Sequence, residues 1–284
     1  MDNCVKKILA IHDLSAFGRC ALSVILPLAS SMGVQVVAVP TAVLSAHFGA
    51  IKKPSIVDLT DFLATTRDDY LGAQFSFDCV YTGYLGSPEQ VAHCLRYMED
   101  YGDALHVVDP VMGDHGKPYS SCTKALQSEM KKLVKKADII TPNLTEVCIL
   151  LGEEYPQFIT REKAKEFMEA LSQLGPKQVV ITGLHLNEGV LTNMGYDAEL
   201  ERSFEVDAKK VDASYPGTGD CFGAIMTAGL TKGYSLEKSV KVASDYLEKT
   251  IALTKEAGTD PSYGILFEKT LHLLVENERV FYKQ

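Results

Sequence analysis

Short apolar runs rich in β-branched residues alternate with longer amphipathic segments through the first two thirds of the chain. Six such runs are predicted to be strands: 8–12, 34–39, 78–82, 105–109, 138–141 and 178–182. Five segments between them are predicted to be helices: 19–32, 58–70, 88–100, 121–136 and 160–174. Nearly continuous apolar strands that are separated by helices indicate a mostly parallel sheet with helices on both faces.

The pattern changes after residue 182. Segments 189–193 and 202–206 are predicted to form a hairpin, and helices are predicted near 218–232 and 235–255. The chain has no internal repeat, no low-complexity segment and no linker. We therefore expect a single α/β domain over residues 1–284, which contain 46% hydrophobic residues and can bury a large core.

Charge and composition exclude several classes of partner. The formal net charge is −9 and no basic run is long enough to predict a nucleic-acid surface. No stretch is apolar enough for a membrane span, and the first residues lack the apolar run of a signal peptide. Seven scattered cysteines without a C-x-x-C pair indicate reduced thiols. The sequence therefore predicts a cytoplasmic protein that binds neither membranes nor nucleic acids.

Polar residues recur directly after the predicted strands. They are Asp13 and Ser15, then His47, then Gly83–Tyr84, then Asp109–Pro110, and finally Thr141–Asn143. Any one of them could be an ordinary polar loop residue. Ligands of open α/β sheets bind beyond the carboxyl ends of the strands, so the set as a whole predicts a site there.

The stretch SYPGTGDCFGAI, residues 214–225, carries the strongest local signal. Gly217 and Gly219 allow successive N–H groups to point at one place, and a helix starting near Asp220 would add its positive end. This combination predicts an anion site, although neither the P-loop pattern nor G-x-G-x-x-G is present. The carboxylate of Asp220 could serve as a helix cap or as a general base. Cys221, at the same helix start, could have a lowered thiol pKa, but a nucleophilic role is not expected because no carbonyl chemistry is otherwise indicated.

Four segments resemble one family, in that family's order. GTGD, leading into an apolar helix, resembles the anion-hole motif of the ribokinase superfamily. DPVMGD (109–114) and TPNLTE (141–146) resemble the magnesium and phosphate segments of vitamin B6 kinases and hydroxymethylpyrimidine kinases. YTGY (81–84) is similar to the segment that lines the pyridine pocket of pyridoxal kinases. The resemblance runs from about residue 8 to 253 and implies a ribokinase-like fold.

The resemblance implies a role for each matching residue around the phosphates. Asp220 would be the catalytic base, and the anion hole would be formed by Gly217, Thr218 and Gly219. On the ATP side, the residues implied are Asp109 and Glu146 as Mg²⁺ ligands through water, Asn143 as their orienting partner, and Thr141 and Thr182 as phosphate contacts. The flap over the substrates would contain Asp114, His115, Gly116, Lys117 and Tyr119.

The vitamin pocket is implied in the same way. Asp13 would face a protonated ring nitrogen or a ring hydroxyl, with Ser15 beside it. His47, Phe48 and Tyr84 would surround the ring, with Phe48 stacking on it or crowding it. His47 could equally be an ordinary loop histidine.

The activity that the resemblance implies is ATP-dependent phosphorylation of the hydroxymethyl group of a vitamin B6 vitamer, as in salvage of pyridoxal 5′-phosphate. ATP and Mg²⁺ would be required, a monovalent cation such as K⁺ is a further candidate cofactor, and a homodimer is expected. Two alternatives stay open: a hydroxymethylpyrimidine kinase of thiamin synthesis, and a non-catalytic ligand sensor on the same fold.

Overall fold

A computed structural model describes residues 5–279, with side chains as far as Val275. The strands are β1 (Lys7–Ser15), β2 (Gln35–Leu44), β3 (Ile56–Asp58), β4 (Cys79–Thr82), β5 (Leu105–Val108), β6 (Gly113–Asp114), β7 (Lys117–Pro118), β8 (Ile139–Ile140), β9 (Gln178–Leu184), β10 (Val190–Asp197) and β11 (Arg202–Lys209). The helices are α1 (Leu22–Ser31), α2 (Thr60–Gly72), α3 (Pro88–Asp100), α4 (Lys124–Lys136), α5 (Leu144–Leu151), α6 (Arg161–Ser172), α7 (Thr218–Thr231), α8 (Leu236–Glu256) and α9 (Leu271–Arg279).

Nine of these strands form one sheet in the order β11-β10-β9-β8-β5-β4-β1-β2-β3. The six inner strands pair in parallel, in the sheet order β9-β8-β5-β4-β1-β2. Antiparallel pairing in this sheet occurs only at its edges, where β3 joins β2 and the β10–β11 hairpin continues from β9. This confirms the mostly parallel sheet. Since the inner strands run in parallel, their carboxyl ends meet at one edge, where ligands of such sheets bind.

The core lies on both faces of the sheet. Leu9 and Ile11 of β1 face one apolar cluster, and Ile8 and Ala10 face the other. Helices α2 to α6 pack against the first cluster, and α1, α7 and α8 pack against the second. A strand that buries both faces must be apolar throughout, which is the pattern that predicted it. The helices on both faces are therefore confirmed.

Several predicted bounds shift by a few residues. The predicted helix 19–32 begins at Leu22 instead, because Ala21 has a φ of 53° and cannot belong to the helix. The predicted strand 34–39 continues to Leu44, where its second half supports the short edge strand β3.

Five elements were not predicted. Helix α5 has eight residues and buries most of its sides, so it shows no amphipathic period. Strand β3 is short and wholly exposed, and β6 and β7 are only two residues each. The turn between β6 and β7 has positive φ at both His115 (50°) and Gly116 (75°), as in a tight type I′ hairpin. Helix α9 was also missed.

Two further features of the described residues are the state of their cysteines and the apolar character of their helices. All six cysteines in the described residues are buried and carry no disulfide, while Cys4 lies outside the described residues. Among helices of the described part of the chain, none has the length and apolar character needed to cross a membrane.

Candidate active site

The start of α7 lies against the chain that follows β1. Gly217 is the N-cap residue, with a φ of 79°. A Cβ atom at this position would overlap the carbonyl oxygen of Arg19, so both the backbone angle and the close approach require glycine. The first turn of a helix has N–H groups without intrahelical acceptors, and here it starts at the carboxyl edge of the sheet.

Asp220 lies in this first turn but does not cap the helix. Its Oδ2 accepts a hydrogen bond of 2.7 Å from the N–H of Ala21, which belongs to the loop before α1. The cap itself has no side-chain hydrogen bond. The interpretation of Asp220 as a helix cap is therefore wrong. Its carboxylate is fixed by a neighbouring loop, at a helix end that favours negative charge.

His12, which the sequence reading did not single out, lies between two carboxylates. Its Nδ1 lies 2.9 Å from Oδ1 of Asp13, and its Nε2 lies 3.3 Å from Oδ1 of Asp220. The second distance is that of an ion pair that is not aligned as a hydrogen bond. The imidazole is 2% exposed and packs on Gly83, where a Cβ atom would overlap the ring. A histidine beside an aspartate at the end of a buried strand is the signal that could have identified it.

The neighbouring carboxylates determine the protonation state of the His12 imidazole. Burial disfavours a charged imidazole, but Asp13 and Asp220 outweigh it and raise the pKa of His12 to about 10. Burial also works against the Asp220 carboxylate, yet pairing with His12 and the Ala21 N–H holds its pKa below the usual value. At neutral pH an imidazolium therefore lies between two carboxylates.

A second pair of acidic residues consists of Asp109, directly after β5, and Glu146, in the first turn of α5. Glu146 is 3% exposed and accepts hydrogen bonds from the N–H groups of Met112 (3.0 Å) and Asn143 (2.9 Å). Asn143 caps α5 by accepting from the N–H of Glu146, and its Nδ2 donates to the carbonyl of Gly113. The orienting function expected of Asn143 thus has a physical basis in this capping box.

The carboxyl groups of Asp109 and Glu146 repel each other's charge. Burial, with the charge of Asp220, raises the pKa of Asp109 to about 7. Burial and the charge of Asp109 raise the pKa of Glu146 well above its usual value. Two carboxyl groups in this state fit a divalent cation bound through oxygen. Within the described residues no cluster of three or more His, Cys, Asp or Glu side chains could hold a metal. Mg²⁺ commonly binds through one or two carboxylates and keeps several waters.

Buried hydroxyl groups without a hydrogen-bond partner in the described chain lie at the same edge. They are Tyr81 OH, Thr82 Oγ1 and Thr141 Oγ1. Buried polar atoms are normally paired, so unpaired ones at a site point to a ligand. Thr141 was predicted, whereas Tyr81 and Thr82 were not assigned roles. Thr182 lies nearby, with its N–H donating to the Pro142 carbonyl at 3.0 Å.

Two residues predicted for the vitamin pocket, Asp13 and His47, are held in place by hydrogen bonds within the protein. Both carboxylate oxygens of Asp13 are engaged, one with His12 and the other with Ser15 Oγ at 3.1 Å. His47 is held by the backbone: its Nδ1 accepts from the N–H of Gly49, so its Nε2 donates to the Ser262 carbonyl at 2.7 Å. This anchoring suits a loop histidine as well as a binding residue.

The two aromatic residues of the predicted pocket differ in exposure. Phe48 is 50% exposed, while Tyr84 is partly buried, which raises its pKa. Their proposed contacts with a ring stay predictions.

The predicted flap is the β6–β7 hairpin with its flanks. The N–H of Gly116 donates to Thr145 Oγ1 at 2.9 Å, and the ring of Tyr155 packs over the same glycine. Asp114, His115, Lys117 and Tyr119 are exposed along it. The hairpin therefore attaches to α5, directly beside Glu146.

The thiol of Cys221 does not have the lowered pKa that its position at a helix start could give. Cys221 is fully buried, and burial together with the charge of Asp220 raises its thiol pKa well above the usual value. Burial outweighs the helix terminus at this position.

Comparison with known proteins agrees with this geometry. Residues 12–263 match the family model described as phosphomethylpyrimidine kinase. A candidate phosphomethylpyrimidine kinase from Bacteroides thetaiotaomicron, crystallised with pyridoxal, is 40% identical; the match covers 95% of this chain and 96% of that one, with a TM-score of 0.91. Bovine pyridoxal kinase is 30% identical over 79% of this chain and 78% of its own.

A relative with the alternative activity also matches. The hydroxymethylpyrimidine/phosphomethylpyrimidine kinase of Bacillus subtilis is 27% identical over 64% of this chain and 66% of its own. The expected fold and resemblance are thus confirmed, whereas the substrate is left between a vitamin B6 compound and a pyrimidine. This chain, with its ribokinase-like fold, belongs to the phosphomethylpyrimidine kinase family and is a phosphotransferase that acts on a hydroxyl group.

Proposed function

We propose that this protein transfers the γ-phosphoryl group of ATP to the hydroxymethyl group of a vitamin B6 vitamer, with Asp220 as the general base. The observation that carries the proposal is the position of Asp220. Its carboxylate is kept ionised by His12 and lies in the first turn of α7, where free N–H groups attract an anion. Base and anion site are therefore within one helical turn.

The chemistry follows from that arrangement. The substrate hydroxyl gives its proton to Asp220 while its oxygen attacks the γ-phosphorus, and ADP leaves with the electron pair of the broken P–O bond. The amides of Gly217, Thr218 and Gly219 would donate to the charge that spreads over the transferred oxygens. The fixed position of the carboxylate means that little reorganisation is needed when the proton moves.

Asp109 and Glu146 are proposed to hold Mg²⁺, oriented by Asn143. Bound there, the ion would neutralise part of the phosphate charge. Thr141 and Thr182 would contact the nucleotide phosphates; for Thr141 the support is a buried hydroxyl that has no hydrogen-bond partner among the described residues. The hairpin with Asp114, His115, Gly116, Lys117 and Tyr119 would cover the site and exclude water. K⁺ is proposed as a further ligand only on the resemblance.

A vitamin B6 compound is favoured over a pyrimidine by two observations. The Bacteroides relative, at 40% identity, was crystallised with pyridoxal. The match with bovine pyridoxal kinase also extends further along this chain than the match with the Bacillus enzyme. Asp13, Ser15, His47, Phe48 and Tyr84 would form the vitamin pocket. Hydroxymethylpyrimidine phosphorylation is the second candidate, supported by the family model.

We propose a cytoplasmic homodimer. Apolar side chains on the edge strand and the adjacent helix favour a covered surface there: Ile56 is 52% exposed, Val57 60% and Phe62 44%. An edge strand with exposed apolar residues readily pairs with another chain.

The test is Asp220→Asn, measured with pyridoxal, pyridoxine, pyridoxamine and hydroxymethylpyrimidine in parallel. Loss of a general base is expected to lower kcat by about 10²–10⁴-fold with smaller changes in both KM values. The matched control is Asp212→Asn, at an exposed position in the segment before α7. Retained turnover in folded Asp220→Asn protein would reject Asp220 as the base. Binding without turnover in the parent protein would favour the sensor.

A further inference from the structure

We propose that His12 is a positioning residue for the catalytic base: it holds the Asp220 carboxylate in place and supplies the positive charge that keeps it ionised. The inference rests on the proposed function, because it assigns a partner to the base of that reaction. It extends that function through a contact that joins β1 to α7.

The first argument is geometric. The Asp220 carboxylate is held at both oxygens, by the Ala21 N–H at Oδ2 and by the His12 ring beside Oδ1. The other side of the ring is held by Asp13, which is itself held by Ser15. Four side chains thus form a continuous chain that ends at the base. Gly83 packs closely against the Cδ2–Nε2 side of the ring, where even a methyl group would overlap it.

The second argument is that the ring keeps a partner in either charge state. Oδ1 of Asp13 lies 2.9 Å from Nδ1 and accepts from it when that nitrogen is protonated. The backbone N–H of Asp13 lies at the same distance and donates to Nδ1 when it is not. Nε2 faces Asp220 in both cases. The ring therefore stays in position over a wide range of pH.

The third argument is electrostatic. Other titratable groups act on Asp220 or on His12 from the surrounding elements: Asp13, Cys20, His47, Tyr81, Asp109 and Cys221. Among the acids at this edge, burial and the charge of Asp220 drive Asp109 toward protonation, and burial and the charge of Asp109 drive Glu146 toward it. Asp220 is not, because it contacts the imidazolium. Removing that charge is expected to make Asp220 behave as Asp109 does.

The experiment compares His12→Gln and His12→Asn with the parent and with His93→Gln. Gln places an N–H donor on the Nε2 side, toward Asp220, whereas Asn can reach only the Nδ1 side, and neither carries charge. His93 is a matched control, since it is also buried but lies on α3 beside Glu89 and Arg96. Circular dichroism and thermal melting establish that each variant is folded.

The two roles of His12 predict separate readouts. Loss of its charge is expected to move the acid limb of the kcat profile upward by about one pH unit or more in both variants, with both KM values little changed. Loss of position is expected to lower the high-pH plateau of kcat about ten-fold in His12→Asn and less in His12→Gln. His93→Gln should match the parent. A packing role alone would change the melting temperature without moving the acid limb.

A measurement without substitution at His12 covers the case in which those variants do not fold. Histidine side-chain NMR of the parent should show one ring that stays protonated above pH 8, and Asp220→Asn should move its titration to lower pH. An unmoved acid limb in folded His12 variants, or an unmoved titration in Asp220→Asn, would overturn the inference. Full turnover of Asp220→Asn would instead reject the proposed base and is a separate outcome.

Discussion

Replacing Asp109 by asparagine should make the metal-free protein more stable while making it less active. The folded-state pKa of Asp109 is raised from 3.8 to about 7 by burial and by the charge of Asp220. A raised carboxyl pKa means that the folded state binds its proton more tightly than the unfolded state. Stability is therefore lost as pH rises from about 4 through about 7, and the cost is fully present above that range.

The size of the effect follows from the shift. A carboxyl that is wholly shut off from water and shifted this far would cost about 4 kcal/mol at pH 8. Asp109 is only partly buried, so we expect roughly half, ~2 kcal/mol. In a chain of this length, that corresponds to a rise of about 4–8 °C in the melting temperature of Asp109→Asn. At pH 5 the expected gain is less than half as large, because the folded parent is then mostly protonated at this position.

The assay is thermal unfolding of the parent, Asp109→Asn and Asp212→Asn between pH 5 and pH 8, with and without Mg²⁺. Asp212→Asn removes the same charge from an exposed position and should leave the melting temperature nearly unchanged at every pH. Mg²⁺ should raise the melting temperature of the parent at pH 8 and have little effect on Asp109→Asn. A gain that is equal at pH 5 and pH 8, or equal in the control, would refute the buried-charge argument.

Three further substitutions test the rest of the site. Glu146→Gln should shift the Mg²⁺ titration of turnover to higher concentration with the fold kept; an unchanged titration would remove Glu146 from the metal site. Tyr84→Ala should raise KM for the vitamin about 2–12-fold, the loss of one stacking contact, while KM for ATP changes little; equal effects would place Tyr84 elsewhere. Gly83→Ala should cost about 1–3 kcal/mol of stability, measured by denaturant unfolding, because the added methyl group overlaps the His12 ring; unchanged stability would show that the ring can move.

The parallel sheet was predictable because strands buried on both faces leave a continuous apolar signal. Ile8 to Ile11 alternate between two cores, so no polar residue interrupts them. Helix α5 gave no such signal: eight residues with most sides buried look neither amphipathic nor long enough for a helix. The β6–β7 hairpin is stabilised by a contact with Thr145, which lies far along the chain from Gly116. Local sequence cannot contain that information.

The residues of the candidate site were also predictable only in part. Asp220, Asp109 and Glu146 could be proposed from motifs in which spacing is characteristic. His12 lies in no such motif; the sequence offers only its place beside Asp13 at a strand end, while its contact with Asp220 depends on the approach of α7 from 208 residues further along the chain (220 − 12). The choice between cap and base for Asp220 was open for the same reason. It was decided by the contact with Ala21, which only the folded chain brings close.

The charges at this edge of the sheet explain why an acid stands beside an anion site. Four carboxyl groups, Asp13, Asp109, Glu146 and Asp220, and one imidazolium, His12, belong to this site, so with all of them ionised their charges sum to −3 (1 − 4). A phosphate would be repelled by that charge. Two positive charges offset this repulsion at different places. The carboxylate of Asp220 has the imidazolium of His12, and the pair formed by Asp109 after β5 and Glu146 in the first turn of α5 favours a divalent cation. Turnover should therefore depend on a cation at the second pair even when the base at the first is fully ionised.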